Sequence, residues 1–151
     1  MPCVLQKGPQ VTMARYILDT DSVTFQQAGR QPILRRLAAA PADAVYTTVI
    51  TLREQLRGRL AEVDQATEGP ALERAYAQLQ ATLHYFCKVN VLPFTTAAAA
   101  KLAELREHKV RIGTQDLRVA AIVLSINAIL VTSNRRDFDQ VPGLIIEDWN
   151  Q

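Results

Sequence analysis

Short apolar runs alternate with longer amphipathic stretches along most of the chain, and this alternation sets the expected fold. Tyr16-Ile17-Leu18 is an apolar run closed by Asp19, which predicts a buried strand with an acid at its C-terminal end. A helix is expected over 31–39, ended by the polar break at 41–43, and the β-branched, aromatic run AVYTT at 44–48 predicts a second strand. Residues 51–61 read as helix. Residues 70–89 predict a long amphipathic helix with Leu72, Ala75, Tyr76, Leu79, Leu83 and Phe86 near one stripe. A short strand is expected within 91–94, then an Ala- and Leu-rich helix over 96–109. Gly113-Thr114 opens a helix over 115–127. The continuous apolar run AILVT at 128–132 is a strand of the kind covered on both faces, and 144–147 supplies a last short one. Strands separated by helices indicate an α/β domain with a mostly parallel sheet. Residues 1–12, with two Pro, a Gly and no period, are expected to be a flexible tail, leaving 13–151 as the domain.

Composition narrows this picture only slightly. At 151 residues and 48% apolar, the chain buries a core in one domain without needing a disulfide or structural metal. A formal charge of +2 says little about partners, but 13 of the 17 basic residues are Arg. Arginine suits bidentate contact with phosphate or carboxylate, although Arg-rich codon usage gives the same bias. Cys3 and Cys87 make no disulfide framework and read as reduced thiols. No apolar run approaches the roughly 18 residues of a membrane span, and the first residues lack the order of a signal peptide, so a cytoplasmic location is expected.

The acids change the picture most. In open parallel sheets, ligands bind outside the carboxyl ends of the strands. Asp19 and Asp21 follow the first strand, while Asn134, Asp137 and Asp139 follow AILVT. Glu54 lies early in the helix after the second strand, and Asp116 opens the helix after Gly113. All four groups fall on one expected edge. Each also has a local explanation: Asp21 and Asp137 as turn or cap residues, Thr51-Leu-Arg-Glu54 as a capping box, Asp116 as a helix-dipole acid. Asp19, ending a buried strand, has no evident local cap and is expected to need a partner or a metal. Converging carboxylates repel one another, and a divalent ion relieves the repulsion. Oxygen ligands without His or Cys favour Mg2+ or Mn2+ over Zn2+, and such a site suits phosphodiester hydrolysis. His84 and His108 fall on helical segments away from this edge.

Three segments carry a family resemblance: YILDTDSV at 16–23, TTVITLREQLRG at 47–58, and IGTQDLRVAAIVLSINAILVTSNRRDFDQVPGLIIEDW at 112–149. The chain resembles the PIN-domain nucleases, and within them the VapC-type toxins of bacterial toxin–antitoxin systems. The last segment is the most specific, and the likeness spans 16–149. It implies a three-layer α/β/α, Rossmann-like domain, cleavage of RNA at an acidic Mg2+ or Mn2+ site, homodimerisation, and inhibition by a cognate VapB-like antitoxin whose C-terminal segment covers that site. By position it makes Asp19, Glu54 and Asp116 the first three catalytic acids and metal ligands. Asp137 is assigned as the fourth, as a direct or water-mediated ligand, and the neutral Asn134 as an outer or substrate contact. Thr132 and Ser133 offer hydroxyls near metal or phosphate. Arg135 and Arg136, with Arg53 and Arg57 on the Glu54 helix, are candidates for phosphate contact. The 70–89 helix and the one before it offer a face for an antitoxin or a dimer partner, although core packing explains most of their apolar residues.

Two rival readings remain. Asp19-Thr20-Asp21 after an apolar strand resembles the opening of haloacid-dehalogenase-like phosphatases, with Asp19 as nucleophile, but a later Lys motif is missing and Glu54 is left unexplained. A catalytically silent domain that binds RNA or a partner is the other; retention of Asp19, Glu54 and Asp116 speaks against it.

Overall fold

The computed structural model describes residues 13–151; the tail expected at 1–12 lies outside the described residues. Along the chain run β1 (Tyr16–Leu18), α1 (Thr20–Gln27), α2 (Gln31–Ala39), β2 (Val45–Thr48), α3 (Val49–Gln65), α4 (Gly69–Lys88), β3 (Asn90–Leu92), α5 (Thr96–Glu107), α6 (Thr114–Ser125), β4 (Ile129–Val131), α7 (Arg135–Phe138) and β5 (Ile145–Glu147). The five strands form one parallel sheet in the order β3-β2-β1-β4-β5. The chain winds outward from β1 through β2 to β3, then returns to β4 on the other side of β1. Winding therefore reverses between β1 and β4, where open α/β sheets place ligands.

Successive side chains on a strand point to opposite faces, and the core divides accordingly. Ile17 and Leu130 join a large cluster with α5 and α6, while Leu18 and Val131 join Val23, Ile33 and Trp149 on the α1–α2 side. Helix α6 is apolar nearly all round, burying Leu117 and Val119 through Val123, as a helix enclosed in a core must be. On the opposite face Trp149 lies 4.9 Å from Tyr16 between ring centroids, and its indole N–H donates to Glu147, which also pairs with Arg36. Among the described residues no helix is long and apolar enough to cross a membrane.

Several expectations are corrected. Helix α1 was not expected; it is short, and only Ser22 and Val23 are buried, too little to set up a period. Helix α7, four residues long, was not expected either. Helix α3 begins two residues before 51 and runs on to Gln65. The 96–109 helix stops at Glu107, with Lys109 in the left-handed region at φ 56°. The predicted α4 stripe is only partly the inward face, with Leu72, Leu79 and Phe86 half-buried. Ala75 and Thr82 are buried, whereas Tyr76 and Leu83 are 55% and 57% exposed. Thr82 is accommodated there because its hydroxyl donates to the Gln78 carbonyl and accepts from Arg59 Nε.

Phe138, with no exposed surface, anchors α7 in the larger cluster. Phe138→Ala is expected to cost about 3–5 kcal/mol, the range for emptying a buried aromatic site. Urea denaturation checks this, and a loss under about 1 kcal/mol would mean that α7 is held by something else.

Candidate active site

Asp19 sits where β1 hands over to α1, and it caps that helix: Oδ1 accepts the Ser22 N–H at 2.8 Å. The expectation that it lacks a local cap is thus corrected, because the helix that needs it had not been anticipated. Capping uses only one oxygen. Oδ2 accepts the hydroxyl of Thr132, which lies beyond the end of β4 and has no exposed surface. Thr132 Oγ1 in turn accepts the Asn134 N–H at 3.0 Å. The Asp19 backbone N–H donates to the Val131 carbonyl, and the Ser22 hydroxyl to the same carbonyl. Only 4% exposed, Asp19 is locked across the β1–β4 switch point. Burial raises its pKa above the ordinary 3.8, against the lowering effect of the bonds from Thr132 and Ser22.

The other acids arrive from separate elements. Asp116 is the third residue of α6, whose cap, Gly113, offers no side chain. A Cβ at Gly113 would stand 3.8 Å from Asp116 Oδ2, so this carboxylate lies back over the helix start. The helix dipole there favours negative charge, yet the Asp116 carboxyl is pushed up to about 6. Burial is the largest cause, followed by the charges of Asp19, Asp137, Asp21 and Glu54. Five carboxylates from β1–α1, α3, α6 and α7 therefore share one electrostatic rim.

Glu54 is not a capping-box residue. Thr48 caps α3 through the Thr51 N–H, placing Glu54 well inside the helix, where it pairs with Arg53 at 2.8 Å. Asp137 accepts the Asn134 side-chain amide at 3.1 Å, so Asn134 orients this carboxylate. The Thr132 hydroxyl is engaged by Asp19 inside the protein rather than turned to a substrate, and Ser133 donates to Asp148. Arg135 and Arg136 are exposed on α7, the former 3.5 Å from Asp139; Arg57 is exposed on α3. His84 and His108 are exposed on or beside α4 and α5.

Sequence reasoning missed the polar bracing of the rim. Thr20 and Thr51 hydroxyls meet at 3.1 Å, and Gln27 and Gln55 exchange two amide hydrogen bonds of 2.8 and 2.9 Å. These tie α1, with its acids, to the helix of Glu54. The signal lay in the hydroxyl residues beside each acid, Thr20 and Ser22 around Asp21 and Thr47, Thr48 and Thr51 before Glu54.

The donor set fits a hard divalent cation: all oxygen, mutually repelling, with Asp116 accepting no hydrogen bond from the described residues. As the side chains stand, no three acids among the described residues are close enough to hold one ion, since Glu54 is turned to Arg53 and Asp137 to Asn134.

A PIN domain family model matches residues 16–144. The tRNA(fMet)-specific endonuclease VapC of Salmonella typhimurium is 28% identical over 141 residues, covering 91% of this chain and 99% of that protein. In structure, the DNA-bound VapBC of Salmonella typhimurium aligns with a TM-score of 0.71 at 27% identity, over 91% of this chain and 99% of that one. VapBC-5 of Mycobacterium tuberculosis, a member of the VapBC family of toxin–antitoxin systems, gives 0.61 at 30% identity, over 92% and 100%.

An acid whose folded pKa is raised is stabilised by its proton; that stability is full below pH 3.8 and is lost as pH rises through about 6. Metal-free protein is therefore expected to lose stability through Asp116 between pH 4 and pH 7, by less than the roughly 3 kcal/mol of the full shift because the half-exposed carboxyl is screened by solvent. Asp116→Asn should remove that loss and exceed the wild type in stability at pH 7. Urea titrations in EDTA at both pH values decide it; parallel pH profiles for the two proteins would refute the assignment.

Proposed function

The chain belongs to the PIN-domain family, and from that premise we propose that it is an RNA-cleaving endonuclease dependent on Mg2+ or Mn2+, the toxin of a toxin–antitoxin pair. The observation that carries the reading is the convergence of Asp19, Asp21, Glu54 and Asp137 on Asp116 at the carboxyl edge of the sheet. Relatives and structural neighbours named as VapC endonuclease and VapBC complexes support the RNA substrate and a VapB-like antitoxin partner.

Asp19 and Asp116 would hold the ion, with Glu54, now paired with Arg53, and Asp137 as the further carboxylates available to it. Once bound, such an ion would supply charge neutralisation, a water acidic enough to attack phosphorus and stabilisation of the leaving oxygen. The chain's own groups fix the geometry. Thr132 and the Ser22 N–H orient the two oxygens of Asp19, and Asn134 orients Asp137. Because α7 follows the site directly, Arg135 and Arg136 lie where the RNA backbone must approach a negative rim, and they neutralise phosphates there. The phosphatase reading is not favoured, since Asp19 as nucleophile and Asp21 as general acid would carry it and Glu54, Asp116 and Asp137 would be idle.

Asp19→Asn is expected to abolish growth arrest on expression in bacteria and to lower RNA cleavage by at least about a hundredfold, the scale of losing one electrostatic stabiliser. Its fold and its antitoxin binding should persist. Full cleavage by Asp19→Asn, or arrest with intact RNA in the wild type, would remove the nuclease reading. In RNA-binding titrations the Arg135→Ala/Arg136→Ala protein is expected to show a log–log salt slope shallower by roughly 1.4, two lost contacts to a single strand. An unchanged slope would take both arginines out of the interface.

A further inference from the structure

Of the four acids whose charges raise Asp116, Glu54 acts least, behind Asp19, Asp137 and Asp21. The cause stands one residue away. Glu54 accepts from Arg53 at 2.8 Å, and among the described residues no other cation comes within ion-pair distance of a rim acid. Side chains at successive helix positions do not face each other, so Glu54 turns aside from the rim to make this contact. The two partners are unequally accessible. The Glu54 side chain is 27% exposed and that of Arg53 52%, so a polyanion arriving from solvent meets the guanidinium first.

An exposed ion pair of this kind biases an equilibrium by no more than about fivefold, so it yields to a stronger partner on either side. A phosphate offers a guanidinium two parallel hydrogen bonds, and a divalent ion is the harder and more highly charged partner for a carboxylate. Resting on the nuclease reading, we propose that Arg53 couples metal binding to RNA binding by exchange of partners. In the free protein Arg53 holds Glu54 off the rim. When an RNA phosphate takes the guanidinium, Glu54 is released to the ion; when the ion draws Glu54 in, the guanidinium is released to phosphate. Each ligand then tightens the other by the same factor. Both side chains sit on the second turn of α3, so the exchange needs their rotation and no movement of the backbone. Without RNA, the site is one carboxylate short and holds its ion loosely.

Two binding measurements on the full chain test this without any cleavage assay, with circular dichroism confirming the fold of each variant. The first is Mn2+ affinity in the absence of RNA, read by electron paramagnetic resonance. Arg53→Ala is expected to tighten Mn2+ about threefold, and by less than about 1.5-fold in a Glu54→Gln background. Arg57→Ala, which removes an exposed charge one turn further along α3, controls for general electrostatics and should change Mn2+ binding by less than about 1.5-fold. The second is anisotropy of a short fluorescein-labelled single-stranded RNA of mixed sequence, titrated in EDTA. Glu54→Gln, which frees Arg53, is expected to tighten this RNA about threefold, and by less than about 1.5-fold in an Arg53→Ala background. No gain in Mn2+ affinity from Arg53→Ala, or gains of equal size in both backgrounds, overturns the exchange. If the wild type binds both Mn2+ and RNA, that failure leaves the nuclease reading standing; a wild type that binds neither overturns both.

Discussion

Like charges brought to one edge of a sheet are the constraint around which this fold is arranged. Parallel strand order points every strand's carboxyl end the same way, and Asp19, Glu54, Asp116 and Asp137 arrive there from four separate segments. Burial, and after it the charges of the neighbouring acids, pushes Asp116 up to about 6, well above an ordinary aspartate even at a helix start. The surrounding structure holds the strain in place. Asp19 is held by two hydrogen bonds, Asp116 rides on a helix buried almost all round, and Asp137 is followed by the buried ring of Phe138. Repulsion is tolerated because each acid is anchored by something other than its neighbours.

The elements with strong period were legible in the sequence. The strand runs ending in Leu18, Thr48 and Val131 and the helices after them were found because apolar residues recur at fixed spacing in each. Their order implied the edge on which the acids meet. Helices α1 and α7 were not legible, since eight and four residues with few buried side chains carry too little pattern. The cap that Asp19 provides exists only because α1 follows it, so neither could be read without the other. In α4 the apolar residues occupy more than one face, and a buried Thr82 satisfied by Arg59 decides which face turns inward.

At the site, the acids were legible as residue types following strands, but their partners were not. That Glu54 turns to Arg53, or that Thr132 faces inward to Asp19, depends on atoms far apart in sequence. The same holds for the amide pair between Gln27 and Gln55, which fixes the spacing of two helices by directional bonds where aliphatic contact would allow sliding.

Trp149 is the only tryptophan, 3% exposed and packed against Tyr16 on the first strand. Its indole lies on the sheet face away from α5 and α6, with the Arg36 guanidinium over its ring. The protein therefore carries its own fluorophore, reporting by red-shifted emission whenever water enters that half of the interior, with no dye or label attached.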